Sequence, residues 1–277
     1  MGLFTGKKGV IMGIANDHSI ATGVAKALHS EGATIGYSHL PDEDGRGRME
    51  ARVRKAVDGL SPAFIFPCDV SKDDSTEDFF AKVKENFGTI DFFVHSIAFA
   101  AIEDLRGSTL AASRQGFLNA MNISAYSFIS TAKHAAELMP NGGAMLTMTY
   151  LGGERVVPGY NMMGVCKAAL ESCVKYIAFD LGSKHIRVNG LSAGPVRTLA
   201  AAGIGDFKSM LTINAAIAPM QKNITQDDVG KTAAFLLSDW SQSITAENVH
   251  VDAGYHIMAG PSHAIEKLAT LAKGTSN

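Results

Sequence analysis

Apolar residues fall in short, unbroken runs separated by longer stretches of amphipathic spacing. The runs Gly9–Met12, Ala33–Tyr37, Ala63–Pro67, Phe92–His95, Ala144–Thr149, Arg187–Leu191 and Val249–Val251 read as strands. Several are apolar at consecutive positions, the pattern of parallel strands covered on both faces. Between them, Ile20–Ser30, Arg48–Val57, Thr76–Phe87, a long stretch over Ser113–Leu138, Asn161–Leu181 and Thr225–Leu237 carry helical spacing. Such alternation predicts an α/β fold, a doubly wound parallel sheet of the Rossmann type built from right-handed βαβ units. No Pro/Ser-rich linker or internal repeat interrupts it. Residues 1–260 therefore read as a single dinucleotide-binding domain, and 261–277 as a peripheral tail with one weakly amphipathic stretch, Ala264–Leu271. Two loops break the rhythm, Pro41–Gly47 and Pro195–Ala215. The second is expected to serve as a substrate lid over about 195–215.

Composition narrows the function classes. Of 277 residues, 46% are hydrophobic and 19% charged, enough apolar material for a substantial core. A net charge of −2 without a basic run gives no footprint for nucleic acid or an anionic membrane. No apolar run is long enough to span a bilayer, and no signal peptide is visible. Cys68, Cys166 and Cys173 form an odd, sparse set without metal-type spacing, which suggests free thiols, no metal and a cytoplasmic location.

Candidate chemistry gathers at the predicted strand ends. The first strand runs into Gly13-Ile14-Ala15-Asn16-Asp17-His18-Ser19-Ile20 and then a helix. This is longer than the usual Gly-x-Gly-x-x-Gly turn. A glycine that permits close approach, followed by a helix N-terminus, still suits a pyrophosphate; a plain Ser-capped helix is the alternative. Asp69 follows the third strand, where its carboxylate either accepts from an adenine amino group or caps the next turn. His95-Ser96-Ile97-Ala98 ends the fourth with small residues beside which a cofactor can lie flat. Tyr160 and Lys167 lie seven residues apart, about 700° of helix, and so share a face. Lysine beside a cofactor can hold ribose hydroxyls and favour hydrogen-bond donation by a phenol; an aromatic and a solvated lysine is the plainer reading. Tyr150 ends the fifth strand, either in the same cleft or with its ring buried and its hydroxyl wet.

Taken in order, Gly13…Ser19-Ile20-Ala21, Cys68-Asp69-Val70, His95-Ser96-Ile97-Ala98-Phe99-Ala100, Tyr150-Leu151-Gly152-Gly153-Glu154, Tyr160…Lys167 and Ser192-Ala193-Gly194-Pro195-Val196-Arg197-Thr198-Leu199-Ala200 resemble the bacterial enoyl-[acyl-carrier-protein] reductase family, a divergent branch of the short-chain dehydrogenases. The resemblance covers about Gly6 to Met258. It implies reduction of the trans-2 double bond of an enoyl thioester in fatty acid synthesis, with NADH as hydride source and NADPH as the other candidate. The carrier is acyl carrier protein or coenzyme A, and the assembly a homotetramer. It further implies that Gly13, Ala15, Ser19 and Ile20 hold the pyrophosphate end and that Leu40, Asp69 and Val70 lie at the adenosine end. Ser96, Ile97 and Ala98 flank the ribose and nicotinamide, and Val196, Thr198, Leu199 and Ala200 the carboxamide. Lys167 binds ribose, Tyr160 the thioester oxygen, and Tyr150 lines the acyl side. Ala100, Met163, Phe207 and Met210 belong to the substrate pocket.

The Tyr/Lys spacing separates this reaction from its neighbours. A ketoreductase places its proton donor beside the hydride acceptor, commonly as Tyr-x3-Lys; here the fourth residue after Tyr160 is Gly164. Hydride delivery to Cβ develops charge on the thioester oxygen, three bonds away. Moving the tyrosine three residues towards the helix N-terminus shifts it about 4.5 Å, the required direction and size. A ketoreductase or other short-chain dehydrogenase, and a non-catalytic nicotinamide-binding sensor, are the rival readings. At the second strand's end, Tyr37-Ser38-His39-Leu40-Pro41 has no cation to meet a 2′-phosphate, which favours NADH unless Arg46 or Arg48 folds back.

Overall fold

The computed structural model describes residues 2–105, 108–198, 207–260 and 265, with the side chains of residues 207 and 208 excepted. Seven parallel strands form one sheet: β1 (Lys8–Met12), β2 (Thr34–His39), β3 (Phe64–Pro67), β4 (Phe92–His95), β5 (Gly143–Thr149), β6 (Ile186–Ala193) and β7 (Asn248–Val251). Their order is β3-β2-β1-β4-β5-β6-β7, so the winding reverses between β1 and β4. Ligands of open α/β sheets bind at such a switch point, beyond the carboxyl ends of the strands. All seven expected strands are present, with ends shifted by one or two residues.

Helices cover both faces. On one, α1 (Ile20–Ser30), α2 (Arg48–Ala56) and α9 (Gln226–Leu237) pack against the apolar rows of Ile11, Ile35, Val94 and Leu146. On the other, α3 (Asp73–Phe87), α6 (Ser127–Glu137) and α7 (Asn161–Gly182) cover Val10, Met12, Phe93, Met145 and Val188. Helices α1 and α9 cross at Gly23 and Gly230. A Cβ on either would stand 2.5 Å from a backbone oxygen of the other helix, so only glycine lets the two meet this closely.

Three expectations need correction. Helix α3 begins at Asp73 rather than Thr76; the aspartates of its first turn suit a helix N-terminus. The stretch Ser113–Leu138 is not one α-helix. It is α5 (Arg114–Met121), a π-helical turn (Asn122–Tyr126) and α6, with Ser113 accepting from the Gly116 N–H at the start. The segment Pro195–Ala215 is not all loop: α8 (Phe207–Ile217) occupies its second half. A four-residue helix, α4 (Ile102–Leu105), also follows β4.

Candidate active site

Gly13 follows β1 with φ +99°, a left-handed conformation that favours glycine, and a Cβ there would overlap the Ser96 carbonyl oxygen. Gly13 thus lets the ends of β1 and β4 close together at the switch point. The Ser96 N–H in turn donates to Met12 O at 3.0 Å.

Ser19 precedes α1, but its side chain does not cap the helix, so the alternative of a plain Ser-capped helix is not realised. Its Oγ accepts from the N–H groups of Ala15 (3.0 Å) and Asn16 (3.1 Å), closing the turn upon itself. The first-turn amides of α1 are therefore left without a side-chain cap, and no acidic residue occupies that turn. This is the positive helix end that a diphosphate needs. Two residues missed by sequence reading hold the turn. Asn16 accepts from the His18 N–H and, through its carbonyl, from the Thr22 hydroxyl. Gln226 of α9 donates through Nε2 to Ser19 O (2.6 Å) and Asp17 O (3.1 Å).

A cavity of about 630 Å³ opens beside this turn, lined by His18, Val196, Arg197, Leu211, Ile224 and Gln226 among others. His18 and Gln226 place one edge of the cavity next to the pyrophosphate turn, and of the expected cofactor residues Val196 lines it. Leu199 and Ala200 lie outside the described residues. Beyond the ends of β2 and β3, Leu40 is exposed, while Val70 is buried. Asp69 accepts from the Ser71 hydroxyl (2.6 Å) and N–H (3.1 Å), with Lys72 Nζ at 3.3 Å. Burial pushes its carboxyl up, but these partners outweigh it and hold it below the usual range. The turn-capping reading of Asp69 is thus realised, and the fixed carboxylate remains a candidate adenine acceptor. Arg46 and Arg48 are engaged with acidic neighbours: Arg48 Nη2 meets Asp44 Oδ2 at 2.7 Å, and Arg46 Nε meets it at 3.3 Å.

Tyr160 stands immediately before α7 and Lys167 two turns along it. Asn161, at φ +35°, anchors the helix start by donating through Nδ2 to Leu105 O at 2.9 Å. The ring of Tyr150 meets that of Tyr160 edge to face, centroids 4.8 Å apart. Burial raises both phenols, Tyr150 to about 12 and Tyr160 further, so each is a neutral donor at physiological pH. Lys167 is buried and donates to Met148 O at 2.7 Å; burial pulls its amine down to about 8. One turn later, buried Glu171 accepts from the Thr149 hydroxyl at 2.6 Å. Lys167 and Glu171 thereby pin α7 to consecutive residues of the β5 end, just before Tyr150.

His95 is neutral here, its imidazole pulled down to about 3 by burial and by Lys167. Ser127 donates to Ile123 O, so its oxygen accepts from His95 Nε2 (2.8 Å), leaving Nδ1 to accept from Thr147 (3.0 Å). On the substrate side, Met163 and Ala100 pack in the apolar cluster that contains Tyr160. Met210 of α8 brings its sulfur to 3.9 Å from the Tyr150 hydroxyl. The Phe207 side chain lies outside the described residues. Among the described residues, no acidic, histidine or cysteine group forms a metal site, and no helix is long and apolar enough to cross a membrane.

The switch-point cleft and the Tyr/Lys helix beside it define an oxidoreductase of the doubly wound, nicotinamide-dependent class. The comparisons narrow this. A family model described as enoyl-(acyl carrier protein) reductase matches residues 13–256. An NADH-dependent enoyl-[acyl-carrier-protein] reductase, FabI, of Bacillus cereus is 48% identical over 93% of this chain and 100% of its own. The B. cereus enzyme solved with NADP+ and an indole naphthyridinone superposes with a TM-score of 0.90, at 48% identity, covering 94% of this chain and 100% of that one. The Anaplasma phagocytophilum reductase solved with NAD gives 0.88, at 48% identity over 94% and 97%. The chain belongs to the enoyl-(acyl carrier protein) reductase family.

Proposed function

We propose that this protein reduces the trans-2 double bond of an enoyl-acyl carrier protein in fatty acid synthesis, using NADH. The observation that carries this reading is the seating of Tyr160 at the N-terminus of α7, two turns before Lys167, against Tyr150 and the apolar cluster of Ala100 and Met163. Bound NADH supplies a hydride to Cβ. Tyr160, kept neutral by burial, donates to the thioester oxygen as enolate charge develops there; the bond strengthens towards the transition state. Lys167 donates to the ribose hydroxyls, its amine aimed by its bond to Met148 O. Gly13, Ala15, Ser19 and Ile20 receive the pyrophosphate; Leu40, Asp69 and Val70 the adenosine; Ser96, Ile97, Ala98, Val196, Thr198, Leu199 and Ala200 the nicotinamide side. Tyr150, Ala100, Met163, Phe207 and Met210 enclose the acyl chain. Helix α8, the described part of the expected lid, covers the acyl side and excludes water, while residues 199–206 of that lid lie outside the described residues.

The engagement of Arg46 and Arg48 with Asp44 favours NADH over NADPH. Residues 1–260 constitute the catalytic domain and 261–277 a peripheral tail. The large apolar side chains exposed on α7, Tyr176 and Phe179, with Ile129 on neighbouring α6, support a homotetramer. Three free thiols accord with the cytoplasm. The test is NADH oxidation with trans-2-decenoyl-acyl carrier protein against acetoacetyl-acyl carrier protein. The enoyl substrate is turned over and the keto substrate is not; the reverse order would replace this reading with a ketoreductase, and inertness to both would favour a sensor.

A further inference from the structure

The loop after β4 carries both candidate cofactor residues (Ser96, Ile97, Ala98) and a candidate substrate residue (Ala100), and it belongs to no strand or helix. Its first part is tied to the sheet. The Ser96 N–H donates to Met12 O, and Ile97 packs against the core under α3, α6 and α7. Its second part meets a different support. Ser124, fully buried in the π-helical turn, accepts from the Phe99 N–H at 2.9 Å and lies 3.0 Å from Phe99 O, to which its hydroxyl donates. One side chain thus satisfies both backbone groups of a residue whose own ring is largely exposed. The same hydroxyl lies 3.8 Å from Met163 Sδ, and Ala100 enters the cluster that holds Tyr160. A π turn inserts an extra residue into the helix and re-aims its side chains. Here the turn presents Ser124 to the loop, while Ser127 serves His95.

We propose that Ser124 is a positioning residue for the enoyl substrate: by clamping the Phe99 backbone it fixes Ala100 within the Tyr160 cluster, while the cofactor half of the loop is held independently. This deepens the reductase reading and rests on it. Ser124→Ala leaves the Phe99 amide without its acceptor. Deuterium uptake by the peptide over residues 96–101 then accelerates about tenfold, the KM for decenoyl-acyl carrier protein rises by a similar factor, and the NADH Kd stays within about twofold. Ser127→Ala, which damages the same turn but leaves the clamp intact, keeps the wild-type KM and uptake at 96–101. Ser124→Cys keeps a donor, weaker and on a slightly larger side chain, gives an intermediate rise, and decides the matter if the alanine variant does not fold. Unchanged uptake and KM in the Ser124 variants, or equal effects of Ser127→Ala, would overturn the proposal. Deuterium uptake needs no turnover, so it tests the clamp even if the wild-type protein proves inert to enoyl thioesters, an outcome that would count against the reductase reading instead.

Discussion

The rings of Tyr150 and Tyr160 meet at 72° with centroids 4.8 Å apart, so the phenol that ends β5 forms one wall around the phenol that begins α7. Tyr160 is buried, and Met210 of α8 approaches the hydroxyl of its neighbour Tyr150. In the proposed reaction the Tyr160 hydroxyl is the hydrogen-bond donor to developing charge. Removing one such donor costs on the order of 3 kcal/mol of transition-state stabilisation. Tyr160→Phe should lower kcat by a factor on the order of 100 and leave the calorimetric NADH Kd within about twofold. Loss of NADH binding in that variant would assign Tyr160 to the cofactor.

Lys167→Ala should act in the opposite sense. The amine is fixed by Met148 O, and in the proposed reading its remaining donors serve ribose. The variant is expected to weaken NADH binding by about tenfold or more, measured by the same titration. Intact NADH affinity would contradict the division of labour between the two residues.

Burial of Lys167 also predicts a pH-dependent stability cost. The folded amine is pulled down to about 8 from an ordinary 10.5, so between these values the unfolded chain binds more protons. Its cost is full below pH 8 and is relieved as pH rises to 10.5. The size is on the order of 3 kcal/mol, partly offset by the bond to Met148 O. Lys167→Met should therefore raise the Tm of cofactor-free protein most below pH 8, with the gain fading towards pH 10.5. A Tm difference that is flat across this range, or grows with pH, would contradict the burial account.

Cofactor choice should respond to Asp44. With Asp44→Ala, Arg46 loses its acidic partner and Arg48 keeps only the longer contact to Asp42 at 3.6 Å, so both are freer to meet a 2′-phosphate. The expected outcome is a rise on the order of tenfold in kcat/KM for NADPH, with the NADH value little changed. An unmoved ratio would place both arginines beyond reach of the adenosine ribose.

The helix crossing that anchors the pyrophosphate turn should be intolerant of side chains. In Gly23→Ala, the added Cβ would stand 2.5 Å from Gln226 O, and Gln226 holds the turn through Ser19 O. Overpacking of about 1–3 kcal/mol is expected, together with weaker NADH binding. A stable variant with lowered NADH affinity would still support the coupling; unchanged stability and affinity together would refute it.

The strands and the Tyr160–Lys167 helix were legible because each carries its own signal: consecutive apolar residues in β1, β4 and β5, and a clear period in α7. Helix α8 was not, because Phe207–Ile217 mixes small and apolar residues and lacks a polar face or an acidic first turn to mark a helix. The π turn at Asn122–Tyr126 has no sequence signature; only the pairing of Ser124 with Phe99 reveals its use. Ser19 was recognised by position, but its partners were not, since a hydroxyl there can serve either the helix or the turn behind it. Asn16, Gln226 and Glu171 escaped because each acts on backbone or on a side chain far away in sequence.

The most direct test of the central claim follows the hydride itself. Reduction of trans-2-decenoyl thioester with NADH deuterated at the transferring C4 position of nicotinamide should yield decanoyl thioester carrying deuterium at C3 and a solvent proton at C2, read by NMR of the product. Deuterium at C2, or no deuterium in the acyl chain while the cofactor is consumed, would contradict the account.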